Sequence, residues 1–176
     1  MVFPGFVTLL SVMTLSAPSG HPDQTPRFHA AKPVWLEGRE LEMNLTVGFR
    51  ALFDAPEEGT VTLRVTAASI YRVFVNGAFC GHGPARGPRG HFRVDEWDLA
   101  QYLHPASNIV AIEVAGYNCN SYYLLDQPSF VQAEISAGDT VLAATGQEPR
   151  GFTARPMPER VQRAQRYSFQ RPFAEV

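Results

Sequence analysis

Asn76 and Gly77 stand between the β-forming runs Tyr71-Arg72-Val73-Phe74-Val75 and Ala78-Phe79-Cys80. Asn-Gly accepts two successive positive φ angles at little steric cost, so this spacing predicts a β-hairpin closed by a type I′ turn. In that register Val75 faces Ala78, Phe74 faces Phe79 and Val73 faces Cys80. The two phenylalanines then pair on one face, and Cys80 packs beside Val73 and Val75.

Elsewhere the chain repeats a period of two. Leu45, Val47, Phe49, Ala51 and Phe53 alternate with polar or small neighbours, as do Val61, Leu63, Val65 and Ala67. Each pattern puts one side of a strand on a core. The turn-forming stretch Asp54-Ala55-Pro56-Glu57-Glu58-Gly59 between them predicts two adjacent antiparallel strands. Asn108 to Tyr117, with Glu113 as its one charge, reads as a central strand covered on nearly both faces. Ser129–Ile135 and Thr140–Thr145 read as two more, joined by the turn Ala137-Gly138-Asp139. Helix is limited to one turn over Leu99–Leu103, with Asp98 as N-cap and Pro105 beyond its end. Short strands at this spacing make two sheets packed face to face. The long connection from Gly81 to Asn108 favours a jelly-roll over a meander.

With 176 residues, 45% of them hydrophobic and 18% charged, the chain has material for one main core and an extension at each end. The apolar run Phe6–Leu15 and the small residues Ser16–Gly20 resemble a signal peptide, although no Lys or Arg precedes Arg27. Secreted, periplasmic and cytoplasmic locations stay open, and the run is too short to span a bilayer. Residues 1–30 are expected to be a signal-like or disordered segment and tether, and residues 31–155 the sandwich. Residues 156–176 are expected to be a linker and the start of a following domain that this chain lacks. There Tyr167, Phe169 and Phe173 alternate as if another strand were beginning, which reads Val176 as a fragment boundary. A net charge of −2 gives no electrostatic reason to expect nucleic acid or an anionic membrane as partner. Cys80 and Cys119 are too few for a disulfide framework and read as free thiols.

The hairpin Phe74-Val75-Asn76-Gly77 is followed by Gly81-His82-Gly83-Pro84-Ala85-Arg86, then by Arg93-Val94-Asp95, Asp98-Leu99 and Tyr102-Leu103. Asn108–Val114 and Gly116-Tyr117-Asn118 come next. In this order and spacing the pieces resemble the N-terminal sandwich region of glycoside hydrolase family 78, the α-L-rhamnosidases. Val34-Trp35-Leu36 and the stretch from Gln165 to Phe173 extend the resemblance, while Phe152 stands where the family pattern has tryptophan. It implies a galactose-binding-like jelly-roll that precedes an (α/α)6 barrel carrying the acids for inverting hydrolysis. That barrel has no counterpart here. The implied role is a non-catalytic accessory module, with a rhamnose-containing carbohydrate and the missing catalytic domain as partners. Some relatives hold rhamnose through calcium, although Gly83-Pro84-Ala85-Arg86 departs from the sugar-binding form of that loop. A stand-alone carbohydrate-binding module and a purely structural interaction domain are the alternatives.

Tyr117, Asn118, Asn120, Tyr122, Tyr123 and Asp126 mix aromatic rings with amide and carboxylate groups in one loop. Rings cover the apolar face of a pyranose while amides and carboxylates bond its hydroxyls. The same residues also suit turn formers and core lids. Arg86, Arg89, His91 and Arg93 suit a polar rim beside that loop or, preferably, a surface docking the catalytic domain. The plainer reading is a solvated crossover with an Arg93–Asp95 pair. Asp95, Glu96 and Asp98 form the densest acidic group, yet neighbours on a strand point to opposite faces, so they do not make a hydrolytic pair. No catalytic residue is assigned.

Overall fold

A computed structural model describes residues 27–121, 124–149 and 151–158. The expectations for residues 1–26 and 159–176, and for Tyr122 and Tyr123, lie outside them. Among the described residues nine strands form: β1 (Leu45–Asp54), β2 (Val61–Ala68), β3 (Ile70–Val75), β4 (Ala78–Gly83), β5 (Asp95–Asp98), β6 (Ser107–Gly116), β7 (Phe130–Ala137), β8 (Thr140–Ala144) and β9 (Thr153–Pro156). They make a five-stranded sheet in the order β4-β3-β6-β1-β9 and a four-stranded sheet in the order β5-β2-β7-β8. Neighbouring strands in both sheets pair antiparallel. Val47, Phe49, Val73 and Ile112 from one sheet and Leu63, Val65, Ala133 and Ile135 from the other share one core cluster. The chain is an all-β sandwich, as its alternation predicts.

The Asn-Gly turn forms with φ of 51° at Asn76 and 85° at Gly77, both positive as type I′ requires. Val75 faces Ala78 and Phe74 faces Phe79, but a bulge then sets Val73 opposite Gly81, not Cys80. The hairpin is tied down through Asn76, whose amide donates to the Tyr102 carbonyl and to Asn108 Oδ1 while its oxygen accepts from the Ile109 N–H.

Three other expectations need correction. β1 and β2 are not neighbours, because residues 55–60 carry the chain from one sheet to the other. Pro, Gly and acidic residues suit such an arch as well as a hairpin. β1 pairs with β6, a strand of equal length, over its ten residues. Second, β6 is central but alternates, with Ile109 38% exposed, so one side of its first half lies open. Third, the helical turn is a 3-10 turn over Ala100–Tyr102, in which Asp98 Oδ1 accepts from the Ala100 N–H at 2.9 Å.

Two peripheral segments complete the sandwich. β9 adds an edge strand beside β1, where the sequence pattern had faded. At the other side, Val34 bridges Val131 of β7 and Lys32 N–H donates to the Thr145 carbonyl, so the lead-in chain continues the edge where β8 stops.

Candidate functional site

Beyond β6 the chain turns sharply at Asn118, which takes a left-handed φ of 44°. Such a conformation suits Asn better than most residues. Around this turn Tyr117, Cys119 and Leu124 build a small second cluster with Ala115 and Ile70. Tyr117 is buried there, and burial raises its hydroxyl pKa above the ordinary tyrosine value. Burial likewise raises the Cys119 thiol. Both cysteines are free.

The polar residues of the loop divide into an inner and an outer set. Asn118 is buried, and its Oδ1 has no hydrogen-bond partner. Asn120 and Asp126 are exposed, with Asn120 Oδ1 accepting the Asp126 N–H at 3.0 Å. Ser121 Oγ accepts from Leu124 N–H at 3.0 Å. Asn120 therefore closes the loop, which leaves the Asp126 carboxylate facing solvent.

Arg86, Arg89, His91 and Arg93 are exposed along the β4–β5 connection. The Arg93–Asp95 pair forms, at 3.2 Å, and His91 Nδ1 donates to the Arg89 carbonyl at 3.2 Å. This connection lies beside the 117–129 loop. Gly90 N–H reaches Gln127 Oε1 at 3.5 Å, and the rings of Phe92 and Phe130 meet edge to face at 4.6 Å. The two segments singled out from sequence thus share one end of the sandwich.

The acidic group of β5 disperses. Asp95 Oδ2 accepts from the Tyr71 hydroxyl at 2.6 Å, Glu96 pairs with Arg64 at 2.8 Å, and Asp98 supports the 3-10 turn. These partners give the three carboxylates three separate tasks, none shaped as a glycosidase acid pair. The Trp97 indole N–H also donates to the Tyr71 hydroxyl, at 3.1 Å. Burial, then the Asp95 hydrogen bond, raises the pKa of that hydroxyl. Gly81 and Gly83 make this packing feasible, since a Cβ would come within 2.4 Å of the Trp97 ring at Gly81 and 2.2 Å of Asp95 at Gly83. This Tyr-Asp-Trp cluster was not anticipated, although Gly-His-Gly opposite a β-strand is the signal that could have pointed to it.

Calcium binding needs about six to eight oxygen ligands. Among the described residues no three His, Cys, Asp or Glu side chains converge as a metal site. Among the described residues of the 117–127 loop, Asp126 presents an exposed carboxylate and Asn118 a buried amide oxygen with no hydrogen-bond partner.

A rhamnosidase of glycoside hydrolase family 78 from Bacillus sp. GL1 matches this architecture with a TM-score of 0.68 and 32% sequence identity over 74% of this chain. This chain is similar to part of a family 78 enzyme. The family 78-like sandwich spans only 14% of the Bacillus protein. More distant likenesses are the α-L-rhamnosidase from Dictyoglumus thermophilum, at 12% identity over 65% of this chain and 14% of that one (TM-score 0.47), and that of Streptomyces avermitilis in complex with L-rhamnose, at 18% over 72% and 11% (TM-score 0.46). No family model matches the family 78-like chain, and no curated protein does.

Proposed function

We propose that this chain is the N-terminal accessory sandwich of an α-L-rhamnosidase-like glycoside hydrolase, of jelly-roll connectivity, and that it contacts carbohydrate without cleaving it. The observation that carries this reading is the asymmetry of the match: 74% of this chain corresponds to 14% of a rhamnosidase at 32% identity. The separate engagement of Asp95, Glu96 and Asp98 supports a non-catalytic role, because glycoside hydrolysis needs two carboxyl groups flanking one bond.

The sugar-facing surface is the end of the sandwich where the 117–129 loop meets the β4–β5 connection. The Asp126 carboxylate and the Gln127 amide offer hydroxyl partners there, with Tyr122 and Tyr123 as the candidate stacking rings. Arg86, Arg89, His91 and Arg93 border that surface and are the residues that would dock a catalytic domain.

Calorimetric titration of the full 176-residue chain with L-rhamnose, with and without calcium, tests the reading. Saturable heat of equal size in both conditions is expected, reduced at least tenfold in affinity by Tyr122→Ala with Tyr123→Ala. A flat trace would remove the carbohydrate role. Release of rhamnose from an aryl rhamnoside by the purified chain would remove the non-catalytic one.

A further inference from the structure

The hairpin turn carries a chemistry that its geometry holds back. Of the five asparagines in the chain only Asn76 precedes a glycine; the others precede Leu45, Ile109, Cys119 and Ser121. Glycine has no Cβ to shield its backbone nitrogen, and Gly77 is exposed at the tip of the turn. That nitrogen can attack the side-chain carbon Cγ of Asn76. The new N–Cγ bond closes a five-membered imide, the Cγ–Nδ2 bond breaks, and ammonia leaves with the proton that the Gly77 nitrogen gives up. Water, the one co-reactant, then opens the ring at either carbonyl. The product is aspartate or, with the main chain rerouted through the side chain, isoaspartate.

Attack requires Cγ to swing onto the Gly77 nitrogen, and a misplaced reacting group forfeits most of the rate. In the folded chain the Asn76 amide is held elsewhere. Its Nδ2 donates at 2.8 Å to both the Tyr102 carbonyl and Asn108 Oδ1, and its Oδ1 accepts the Ile109 N–H at 2.9 Å. Asn108 is fully buried and is itself fixed, since its Oδ1 accepts the His104 N–H at 2.8 Å while its Nδ2 donates to the His104 and Ala106 carbonyls at 3.1 and 2.7 Å. All three anchors of the clamp therefore lie in residues 102–109, and none on the hairpin.

The same network rejects the product. A carboxylate accepts hydrogen bonds and donates none. At position 76 it would face the Tyr102 carbonyl and Asn108 Oδ1, two further acceptors. Asn108 cannot turn its amide to answer without giving up its own three bonds. Isoaspartate also adds a backbone atom to a turn built for two residues.

We propose that Asn76-Gly77 is a gated self-modification site. While the hairpin is closed, the clamp on the Asn76 amide suppresses imide formation. An opening long enough for the ring to form unlocks the hairpin end of the five-stranded sheet for good, because the product cannot rebuild the clamp. The site works without sugar or a second domain.

Peptide mapping of the full chain during incubation in mildly alkaline buffer tests the gate, because trypsin releases Val73–Arg86 with Asn76 as its one asparagine. The same peptide, free in solution, is the ungated reference. Conversion in the folded chain is expected to be at least about tenfold slower, since it waits on local opening. Equal rates would overturn the gate. Exchange of the Ile109 N–H, the third bond of the clamp, separates the clamp from mere rigidity of the turn. In rising denaturant below the unfolding transition, conversion at Asn76 should increase in proportion to that exchange, and conversion that stayed level while Ile109 exchanged faster would overturn the proposal. Asn76→Asp sets the first product in place and should speed Ile109 exchange about tenfold. Exchange as slow as in the wild-type chain would overturn the one-way step.

Discussion

On the outer face of the four-stranded sheet Arg64 of β2 stands opposite Glu134 of β7, and on that of the five-stranded sheet Arg72 of β3 stands opposite Glu113 of β6. The second pair closes, with Arg72 Nε 2.9 Å from Glu113 Oε2 and the guanidinium 5.5 Å from the Phe74 ring centre. The first does not. Arg64 turns to Glu96, and its Nη1 stays 3.9 Å from Glu134. Glu134, fully buried, accepts instead from the backbone N–H groups of His29, Ala30 and Ala31 at 2.9, 2.6 and 3.1 Å. The leg of residues 29–34 excludes water from this face, and its N–H groups replace that water. The difference shows that register only offers a partner, and that the covering segment decides whether the offer is taken.

The strongest break in this contrast is Glu134→Ala. It strands three backbone donors beneath the leg, so a loss of about 3 kcal/mol is expected in denaturant unfolding. Burial alone would raise the Glu134 pKa, but the three N–H groups, with the His29 imidazole 3.3 Å from Oε1, outweigh it and hold it below the ordinary glutamate value. A carboxyl depressed on folding stabilises fully above its unfolded pKa, and that share is lost as pH falls through the folded one. The wild-type chain should therefore lose stability below about pH 4.5, and Glu134→Gln should flatten that limb. An acid limb unchanged by the substitution would show that the leg holds without this charge.

Glu113→Ala, on the other face, is expected to cost about 1 kcal/mol. Arg72 retains its place over Phe74 and can reach solvent, being 23% exposed. A cost equal to that of Glu134→Ala would abolish the distinction between the two faces.

How much of this was legible follows from the range of each interaction. The Asn76-Gly77 hairpin was readable because a turn is written in adjacent residues, and the core faces of β1 and β2 because period two is local. The bulge opposite Val73 was not: it sets Gly81 there, under a Trp97 ring that comes from β5, and no neighbour in sequence marks that approach. Glu134 was unreadable for a different reason. The three N–H groups that it accepts from lie 103–105 residues away and are backbone groups, which carry no side-chain signature. At the candidate site, both segments were recognised by their residue types, but their meeting through Phe92 and Phe130 is a product of two loops from different strands.

Gly48→Ala is the mildest probe and the one that best separates a loose cover from a fixed one. A Cβ at Gly48 would meet the Met157 sulfur at 2.9 Å. That atom ends a flexible, unbranched side chain able to swing aside, and alanine gains about 0.5–1 kcal/mol over glycine within a strand. The lost thioether contact offsets much of this gain, so stability should change by no more than about 0.5 kcal/mol. At Gly81 the obstacle would be a packed indole at 2.4 Å, which has nowhere to go, and alanine there should cost several times more. If thermal unfolding found Gly48→Ala as damaging as Gly81→Ala, the Met157 strap would have to be fixed as firmly as the leg over Glu134, and the five-stranded face would no longer be the weakly covered one.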